Sequence, residues 1–211
     1  MNTLQYILDK FKLEADGELP IQIPDFGRDQ MALLFKELDF KVGAEIGVEQ
    51  GVYSEVLCKA NPGLSLHCID AWQHYRGYRD HVGQAKLDGF FEAAKSRLKP
   101  YGCHMVRSYS MEAVKGYIDK TFDFVYIDGN HEFPWVVEDI FHWSKKVKKG
   151  GIISGHDYRR SKRADTRNHV TYVVDAYTAA YRIKPWFVLG LQAKNLGQIR
   201  DEARSWMWIK P

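Results

Sequence analysis

Hydrophobic positions along the chain follow two alternating patterns from residue 41 onward. Short runs of β-branched and other apolar residues end in Gly or Asp, and longer stretches with helical spacing separate them. The short runs have the length and the continuous apolar character of strands that are buried in a parallel sheet. The pattern predicts strands at residues 42–46, 64–69, 104–107, 122–127, 151–154, 186–189 and 206–209.

The longer stretches predict helices that connect the strands. A helix over 53–60 ends at the Asn-Pro-Gly of 61–63, because proline cannot continue the hydrogen-bond ladder. A second helix covers about 80–98, and a third begins at Pro134 and ends at the glycine pair 150–151. The apolar faces of these two helices consist of Leu87, Phe91, Ala94 and Leu98, and of Val136, Ile140 and Val147.

Strands that alternate with helices pack as a doubly wound α/β sheet with helices on both faces. Such sheets bind ligands beyond the carboxyl ends of the strands, where the strand order reverses. Residues 1–40 carry apolar residues at helical spacings, which predicts a helical N-terminal cap over a sheet edge or over the mouth of the site. We therefore expect one compact domain at 41–211 with this helical extension before it.

Composition and charge exclude several classes of protein. Hydrophobic residues at 45% and charged residues at 27% exclude a collagen-like or extensively disordered chain. No apolar run reaches the roughly 18 residues of a membrane helix, and acids interrupt the N-terminal stretch, so we expect a cytoplasmic protein without membrane association. A net charge of +3 does not by itself indicate nucleic-acid binding, although five basic residues lie within 159–167.

A glycine-containing turn follows the first predicted strand. Gly47 and Gly51 allow a sharp turn and the close approach of a ligand, and the next helix offers unpaired N–H groups to an anion. The alternative is a tight turn that binds nothing. Glu49 occupies the position of the second glycine in the dinucleotide fingerprint G-x-G-x-x-G, which argues against a nicotinamide oxidoreductase.

Two acids accompany this turn. Glu45 lies inside a strand that should be buried, where a carboxylate is unfavourable unless a cation or a hydrogen-bond donor faces it. Asp70 closes the second strand 23 residues after Gly47, the offset at which an acid accepts hydrogen bonds from ribose hydroxyls. An acid at this position alone also suits a helix cap or a solvated turn, but the preceding glycine turn favours a nucleoside.

Two further motifs follow the fourth and fifth strands. They are Asp128-Gly129-Asn130-His131, and the stretch 150–157 that begins with Gly-Gly and ends with His156-Asp157. Together with Glu45-x-Gly47-x-x-x-Gly51 and Asp70, they resemble the motifs of class I S-adenosylmethionine-dependent methyltransferases. Within that superfamily, the two motifs at 128–131 and 150–157 are similar to those of the Methyltransf_24 type, which are relatives of the catechol O-methyltransferase-like enzymes. The resemblance spans about residues 40–190.

The resemblance implies S-adenosylmethionine (SAM) as cofactor, and a Rossmann-like seven-stranded mixed sheet whose last strand is antiparallel. It also implies a position for each part of SAM, with the carboxylate of the amino-acid head at the start of a helix. It places the amino-acid head by Glu45 and Gly47, its carboxylate by Gly51 and Ser54, the ribose by Asp70, and the adenine by Ser108.

The acids after the fourth and fifth strands form a second candidate site. Asp128 and Asp157 should lie at the ends of neighbouring strands about 4.8 Å apart, where two carboxylates converge on one cation. By resemblance to metal-dependent relatives, Asp128, Asp157 and His156 would bind Mg²⁺ or another divalent cation. His156 departs from the expected oxygen ligands and suits zinc, manganese or iron better. In the alternative, Asp128 contacts the cofactor or the loop backbone, and Asp157 caps the next turn.

His131 is the candidate general base. A histidine titrates near neutral pH, and His131 follows Asp128 closely, so it suits accepting a proton from a substrate hydroxyl beside the expected methyl group. The alternatives are a structural histidine and a metal-assisted route at Asp128, which lowers the pKa of the hydroxyl directly.

These features predict methyl transfer from SAM to a hydroxyl of a small molecule, catalysed at Asp128 and His131. The basic segment 159–167 would be a lid that attracts an anionic acceptor, or else a solvated loop. The alternatives are a nucleotide or RNA methyltransferase that uses this segment, and a nucleoside-binding protein without turnover. The sequence does not identify the methyl acceptor, the metal or the oligomeric state. A homo-oligomer is one of the alternatives.

Overall fold

The computed structural model of the chain describes residues 2–75, 83–159, 168–190 and 203–211. The strands are β1 (Ile21–Ile23), β2 (Val42–Ile46), β3 (Ser65–Asp70), β4 (His104–Arg107), β5 (Phe122–Ile127), β6 (Val147–Tyr158), β7 (Trp186–Leu189) and β8 (Arg204–Ile209). The α-helices are α1 (Thr3–Phe11), α2 (Arg28–Glu37), α3 (Val52–Ala60), α4 (Gln84–Leu98), α5 (Ser110–Ala113), α6 (Phe133–Lys146) and α7 (Val170–Ala180). Within these ranges no helix combines the length and the apolar character that a membrane span requires.

The sheet is mixed and doubly wound, in the order β1-β7-β8-β6-β5-β2-β3-β4. The strands from β6 to β4 in this order are parallel, and β8 runs antiparallel to both β6 and β7. The chain adds β3 and β4 on one side of β2, and β5 and β6 on its other side, so the strand order reverses between β2 and β5. The predicted Rossmann-like mixed sheet with an antiparallel last strand is confirmed.

Within the described residues the sheet has eight strands, so the prediction of seven is wrong. The additional strand, β1, pairs in parallel with β7, where Ile21 lies beside Phe187. Its three residues alternate between buried and exposed, which is too short a pattern to distinguish a strand from a loop. Long-range pairing at the sheet edge rather than local propensity creates this strand. The N-terminal segment is therefore not purely helical.

The junction between α6 and β6 also differs from the prediction. Val147, expected on the buried face of the helix, is the first residue of β6, and both environments bury it. The glycine pair 150–151 consequently lies within the strand instead of ending the helix. A Cβ atom at Gly151 would collide with the carbonyl oxygen of Asp123, so close packing between β5 and β6 explains this glycine. The helix predicted from about 80 begins at Gln84 within the described residues.

The N-terminal helices pack into the same hydrophobic core as the sheet. Phe35 of α2 is fully buried, and its ring stacks on that of Phe124 in β5 with centroids 4.0 Å apart. Ile7 of α1 is also fully buried, and the Thr3 hydroxyl donates a 2.6 Å hydrogen bond to the Gly150 carbonyl. The division of the chain into a cap at 1–40 and a domain at 41–211 stays a prediction.

Candidate active site

A cavity of about 470 Å³ lies at the carboxyl ends of β2, β3, β4 and β5, where the strand order reverses. Its volume is in the range of small-molecule sites. Among the predicted site residues, those that line the cavity are Glu45, Gly47, Asp70, Ser108, Asp128 and His131. Those that do not line it are Gly51, Ser54, His156 and Asp157.

The predicted residues form a row along the edge of the sheet, set by the order of the strands. From one end to the other the row consists of Asp157 on β6, Asp128 after β5, Gly47 after β2, Asp70 at the end of β3 and Ser108 after β4. Neighbouring strands are about 4.8 Å apart, so about 10 Å separates the ends of β2 and β4. The cavity is therefore shaped for an elongated ligand.

Both glycines of the turn are required by the packing of the protein itself. Gly47 has a φ of 91°, and a Cβ atom there would collide with the carbonyl of Asp128. Gly51 has a φ of 73°, and its Cβ atom would lie 3.0 Å from Cδ1 of Leu98. These contacts favour the tight-turn interpretation at Gly51, while a cofactor contact at Gly47 stays a prediction.

Glu45 is almost fully buried at the inner end of the cavity, at 2% exposure. The Ser54 hydroxyl on α3 donates a hydrogen bond to its Oε2 atom. Burial raises the pKa of Glu45 to about 8, against the lowering effect of this hydrogen bond. Ser54 thus reaches the site through Glu45 and not by lining the cavity.

Arg28, which the sequence analysis did not identify, brings a positive charge into this region from the N-terminal segment. It begins α2, and its guanidinium carbon lies 5.3 Å from the centroid of the Tyr53 ring. Its Nη1 atom lies 3.9 Å from Oδ2 of Asp128. Nothing in the local sequence indicates that the start of α2 faces β5, so only the tertiary structure reveals this residue.

Asp70 organises the loop after β2 through its side chain. Its Oδ2 atom accepts hydrogen bonds from the backbone N–H groups of Val48 at 3.0 Å and Glu49 at 2.9 Å. Its Oδ1 atom accepts one from Trp72 N–H at 2.9 Å. Because a carboxylate has about four acceptor positions, the predicted ribose contact is compatible with these bonds, and it stays a prediction.

Four side chains converge at the β5 and β6 end of the row. His131 Nε2 lies 3.1 Å from Oδ2 of Asp157 and 3.5 Å from Oδ1 of Asp128. His156 Nδ1 lies 3.3 Å from Asp157 Oδ2 and 3.8 Å from Asp128 Oδ2. One ligand atom each from Asp128, His131 and Asp157 lies within 4.8 Å of the other two. The predicted cluster is therefore assembled, with His131 as its third member where the sequence suggested His156.

The charges of this cluster are strongly coupled. Burial alone would lower the pKa of His131, but hydrogen bonds and charges from Asp128 and Asp157 raise it to about 10. Burial would likewise raise the pKa of Asp157, but hydrogen bonds from His131 and His156 hold it well below its usual range. His131 therefore carries a proton at neutral pH when only protein atoms surround it.

Aromatic side chains also line the cavity. The Tyr75 ring lies 5.8 Å from that of Tyr109 and 5.7 Å from that of Trp135, measured between centroids. Asn130 Nδ2 donates a 2.6 Å hydrogen bond to the Tyr75 hydroxyl. The sequence does not show that these three rings come together, because they belong to loops or helices that follow three different strands.

A second buried acid, Asp139 on α6, also lines the cavity. The Ser110 hydroxyl at the start of α5 donates a hydrogen bond to its Oδ1 atom. Trp143 Nε1 donates in turn to Ser110 Oγ at 2.8 Å. A buried polar residue on the apolar face of the predicted third helix was the sequence signal that could have identified Asp139.

Most of the basic segment, residues 160–167, lies outside the described residues. Its first member, Arg159, is described, and its Nε atom lies 3.7 Å from Oδ1 of Asp157. The prediction that the segment attracts an anionic acceptor is therefore untested.

Residues 44–158, just over half of the chain, match the sequence model of a family described as a methyltransferase domain, Methyltransf_24. The chain belongs to this family. It is a class I SAM-dependent methyltransferase, and the resemblance seen in its motifs is confirmed. No curated protein sequence matches this methyltransferase.

Solved methyltransferase structures share the fold at low sequence identity. The O-methyltransferase TomG from Streptomyces achromogenes, involved in tomaymycin synthesis and solved with SAM, is 16% identical with a TM-score of 0.62, over 100% of this chain and 91% of that one. A Bacillus cereus O-methyltransferase in complex with S-adenosylhomocysteine (SAH) is 13% identical with a TM-score of 0.61, over 100% and 91%. Cofactor-bound Rv0187 from MTB is 16% identical with a TM-score of 0.62, over 87% and 79%.

The family match of this methyltransferase runs from β2 to the end of β6. It therefore includes the glycine turn, Asp70 and the cluster around Asp128, but not Arg28. The N-terminal segment consequently supplies a charged side chain to the cavity from outside the matched region.

Proposed function

We propose that this methyltransferase transfers the methyl group of SAM to a hydroxyl group of a small molecule. The observation that carries the proposal is the row of side chains along the sheet edge. The family resemblance assigns the head, ribose and adenine of SAM to Gly47, Asp70 and Ser108, which is their order in this row. The reacting methyl group would then face Asp128 and His131 at the other end.

The charge of the cavity supports a cationic cofactor. Carboxyl groups of Glu45, Asp70, Asp128 and Asp139 are among its lining, whereas Arg28 and His131 are the basic residues of the lining that the structure describes. These acids outnumber the basic residues, and the sulfonium and ammonium charges of SAM would stabilise the ionised forms of Glu45 and Asp139, whose pKa values burial raises to about 8 and about 7. Arg28 would pair with the carboxylate of the amino-acid head.

The donor set at the β5 and β6 end supports a divalent cation. Asp128, His131 and Asp157 would hold it through two carboxylate oxygens and one imidazole nitrogen, a set that suits manganese, iron or zinc. We assign the nitrogen to His131 and not to His156, because His131 lines the cavity and its Nε2 atom lies nearer to both carboxylates than His156 Nδ1 does. An ion bound there would lower the pKa of an acceptor hydroxyl.

Without a bound ion, the protonation of His131 argues against a general-base role. With a pKa of about 10, the imidazole is protonated at neutral pH and has no lone pair to accept the hydroxyl proton. Its Nε2 proton instead links the carboxylates of Asp128 and Asp157, and a cation bound there would have to displace this proton. The cavity walls then contribute by aligning the acceptor oxygen with the methyl group for an in-line displacement.

The test measures methyl transfer from SAM to a panel of small hydroxyl acceptors before and after treatment with EDTA. We expect chelation to abolish transfer and Mn²⁺, Fe²⁺ or Zn²⁺ to restore it in the wild type but not in Asp157→Asn. Asp16→Asn, which changes an exposed acid, is the matched control and should be restored. SAH binding, measured by calorimetry, should survive chelation.

Two results would separate the parts of this proposal. Full activity in EDTA together with an active Asp157→Asn would contradict the metal site. Binding of SAM without transfer to any hydroxyl acceptor would contradict the reaction and favour a nucleoside-binding protein. The nucleotide or RNA alternative depends on residues 160–167, and no feature of the described residues favours it.

A further inference from the structure

Asp139 is a buried carboxylate with an acceptor oxygen available to the cavity. It lies two turns into α6 and is 5% exposed. Ser110 donates to Oδ1, and this is the one hydrogen bond of the carboxylate within the described residues, so Oδ2 can accept another. A carboxylate removed from water is unfavourable until donors replace the water that it has lost. The position therefore suits a ligand that brings an N–H or O–H donor.

The surroundings of Asp139 suit a flat aromatic ligand. Trp135 precedes it by four residues, so both side chains lie on the same face of α6, and both line the cavity. The Tyr75 ring, in the loop after β3, lies beside the rings of Trp135 and of Tyr109, which follows β4. Aromatic side chains of this kind pack against planar rings, and one acid at the edge of the ring fixes the orientation of the ligand through a hydrogen bond.

Asp139 lies at the end of the cavity where the adenine of SAM would bind. Its partner Ser110 lies two residues after Ser108, at the end of β4. This end is two strands away from Gly47, where the amino-acid head of SAM would lie. The distance of about 10 Å between these strand ends leaves room for the ribose between head and base.

We propose that Asp139 accepts a hydrogen bond from the exocyclic amino group of adenine through Oδ2, and that it thereby selects adenine over purines with a carbonyl at this position. The inference deepens the proposed function and rests on the cavity binding SAM. Burial raises the pKa of Asp139 to about 7, against the hydrogen bond from Ser110, so a second donor would stabilise its ionised form.

The test compares two ligands by calorimetry: SAH, and S-inosylhomocysteine, in which a carbonyl oxygen replaces the amino group. At about pH 8.5, above the pKa of Asp139, we expect the wild type to bind SAH about tenfold or more tightly, because the inosyl carbonyl would place one acceptor opposite another. In Asp139→Asn the preference should fall to within about threefold, because an amide can both accept from an amino group and donate to a carbonyl.

Two control variants separate recognition from structure. Glu138→Gln changes the neighbouring exposed acid on α6 and should keep the wild-type preference. Glu112→Gln changes an exposed acid on α5, close to Ser110 in sequence, and should also keep the preference. Thermal unfolding of each variant, followed by circular dichroism, verifies that it is folded.

The outcomes are distinguishable from failure of the proposed function. An equal affinity of the wild type for both ligands would overturn the role of Asp139 and leave SAM binding intact. An unchanged preference in Asp139→Asn, or the same loss of preference in Glu138→Gln or Glu112→Gln, would show that Asp139 does not read the amino group. If the wild type bound neither ligand, the proposed function itself would be contradicted.

Discussion

Glu45 shows how burial changes the chemistry of one residue in this methyltransferase. Its carboxyl group is 2% exposed, and burial raises its pKa to about 8, although Ser54 donates a hydrogen bond to it. An unfolded glutamate titrates near pH 4.3. Between these two pKa values the unfolded chain releases a proton that the folded protein retains.

This difference fixes the sign of a pH effect on stability. Because the folded protein binds more protons, the contribution of Glu45 to the free energy of unfolding is largest below about pH 4.3 and falls until the pH exceeds about 8. Glu45→Gln removes the titration. We expect the stability of this variant relative to wild type to rise by more than about 1 kcal/mol between about pH 5 and pH 9 in urea unfolding without ligand.

The control for Glu45 is an acid that water surrounds. Glu14→Gln changes an exposed carboxyl group and should give stability curves parallel to those of the wild type. Parallel curves for Glu45→Gln as well would mean that Glu45 is ionised in the folded protein, and that Arg28 and Ser54 stabilise its charge.

At the scale of elements, the turn between β2 and α3 depends on its contact with the end of β5. Gly47 packs against the carbonyl of Asp128, and the Asp128 N–H donates a 2.7 Å hydrogen bond to the Ile46 carbonyl. Any side chain at position 47 would therefore separate the two strand ends. The contact makes Gly47 a structural requirement before any cofactor is bound.

We expect Gly47→Ala to lower the free energy of unfolding by more than about 2 kcal/mol, through overpacking and through the strain of a positive φ. Gly89→Ala is the matched control in chemical denaturation. Gly89 lies inside α4 with open space around its Cβ position, so alanine should stabilise the protein by about 0.5 to 1 kcal/mol. A loss of SAH binding in Gly47→Ala with unchanged stability would instead place the added methyl group in the cofactor space.

The sequence predicts elements well where their pattern is long or carries a motif. The parallel strands and the cluster of Asp128 and Asp157 follow from apolar runs that end in polar residues, and the structure assembles both. The strand β1 escapes prediction because three residues give no periodicity, and its partner β7 lies far along the chain. Arg28 escapes because it acts across a tertiary contact that no local pattern encodes, whereas Asp139 had a signal in its polar side chain on the apolar face of the helix.

At the scale of the whole molecule, the N-terminal segment shares a core with the catalytic sheet. Phe35 is fully buried against Phe124, and the same apolar cluster includes Ile7 and Met207. A segment that contributes fully buried side chains to the sheet is expected to unfold together with it. This expectation opposes an independently folding cap at residues 1–40.

Phe35→Ala therefore tests whether the segment and the sheet form one cooperative unit. Removing a buried phenylalanine costs about 3 to 5 kcal/mol, and in one cooperative unit the whole protein loses that stability. We expect a single urea transition at a lower midpoint, with near-ultraviolet and far-ultraviolet circular dichroism signals that coincide.

The matched control lies on the same helix. Leu33 is 50% exposed, so Leu33→Ala removes a large apolar side chain from α2 without opening a cavity, and it should change stability by less than about 1 kcal/mol. If Phe35→Ala instead produced an early transition of small amplitude while the sheet kept the wild-type midpoint, the N-terminal segment would be a separable cap. Arg28 would then reach the cavity from an element that can detach, and SAM affinity would depend on whether that element is folded.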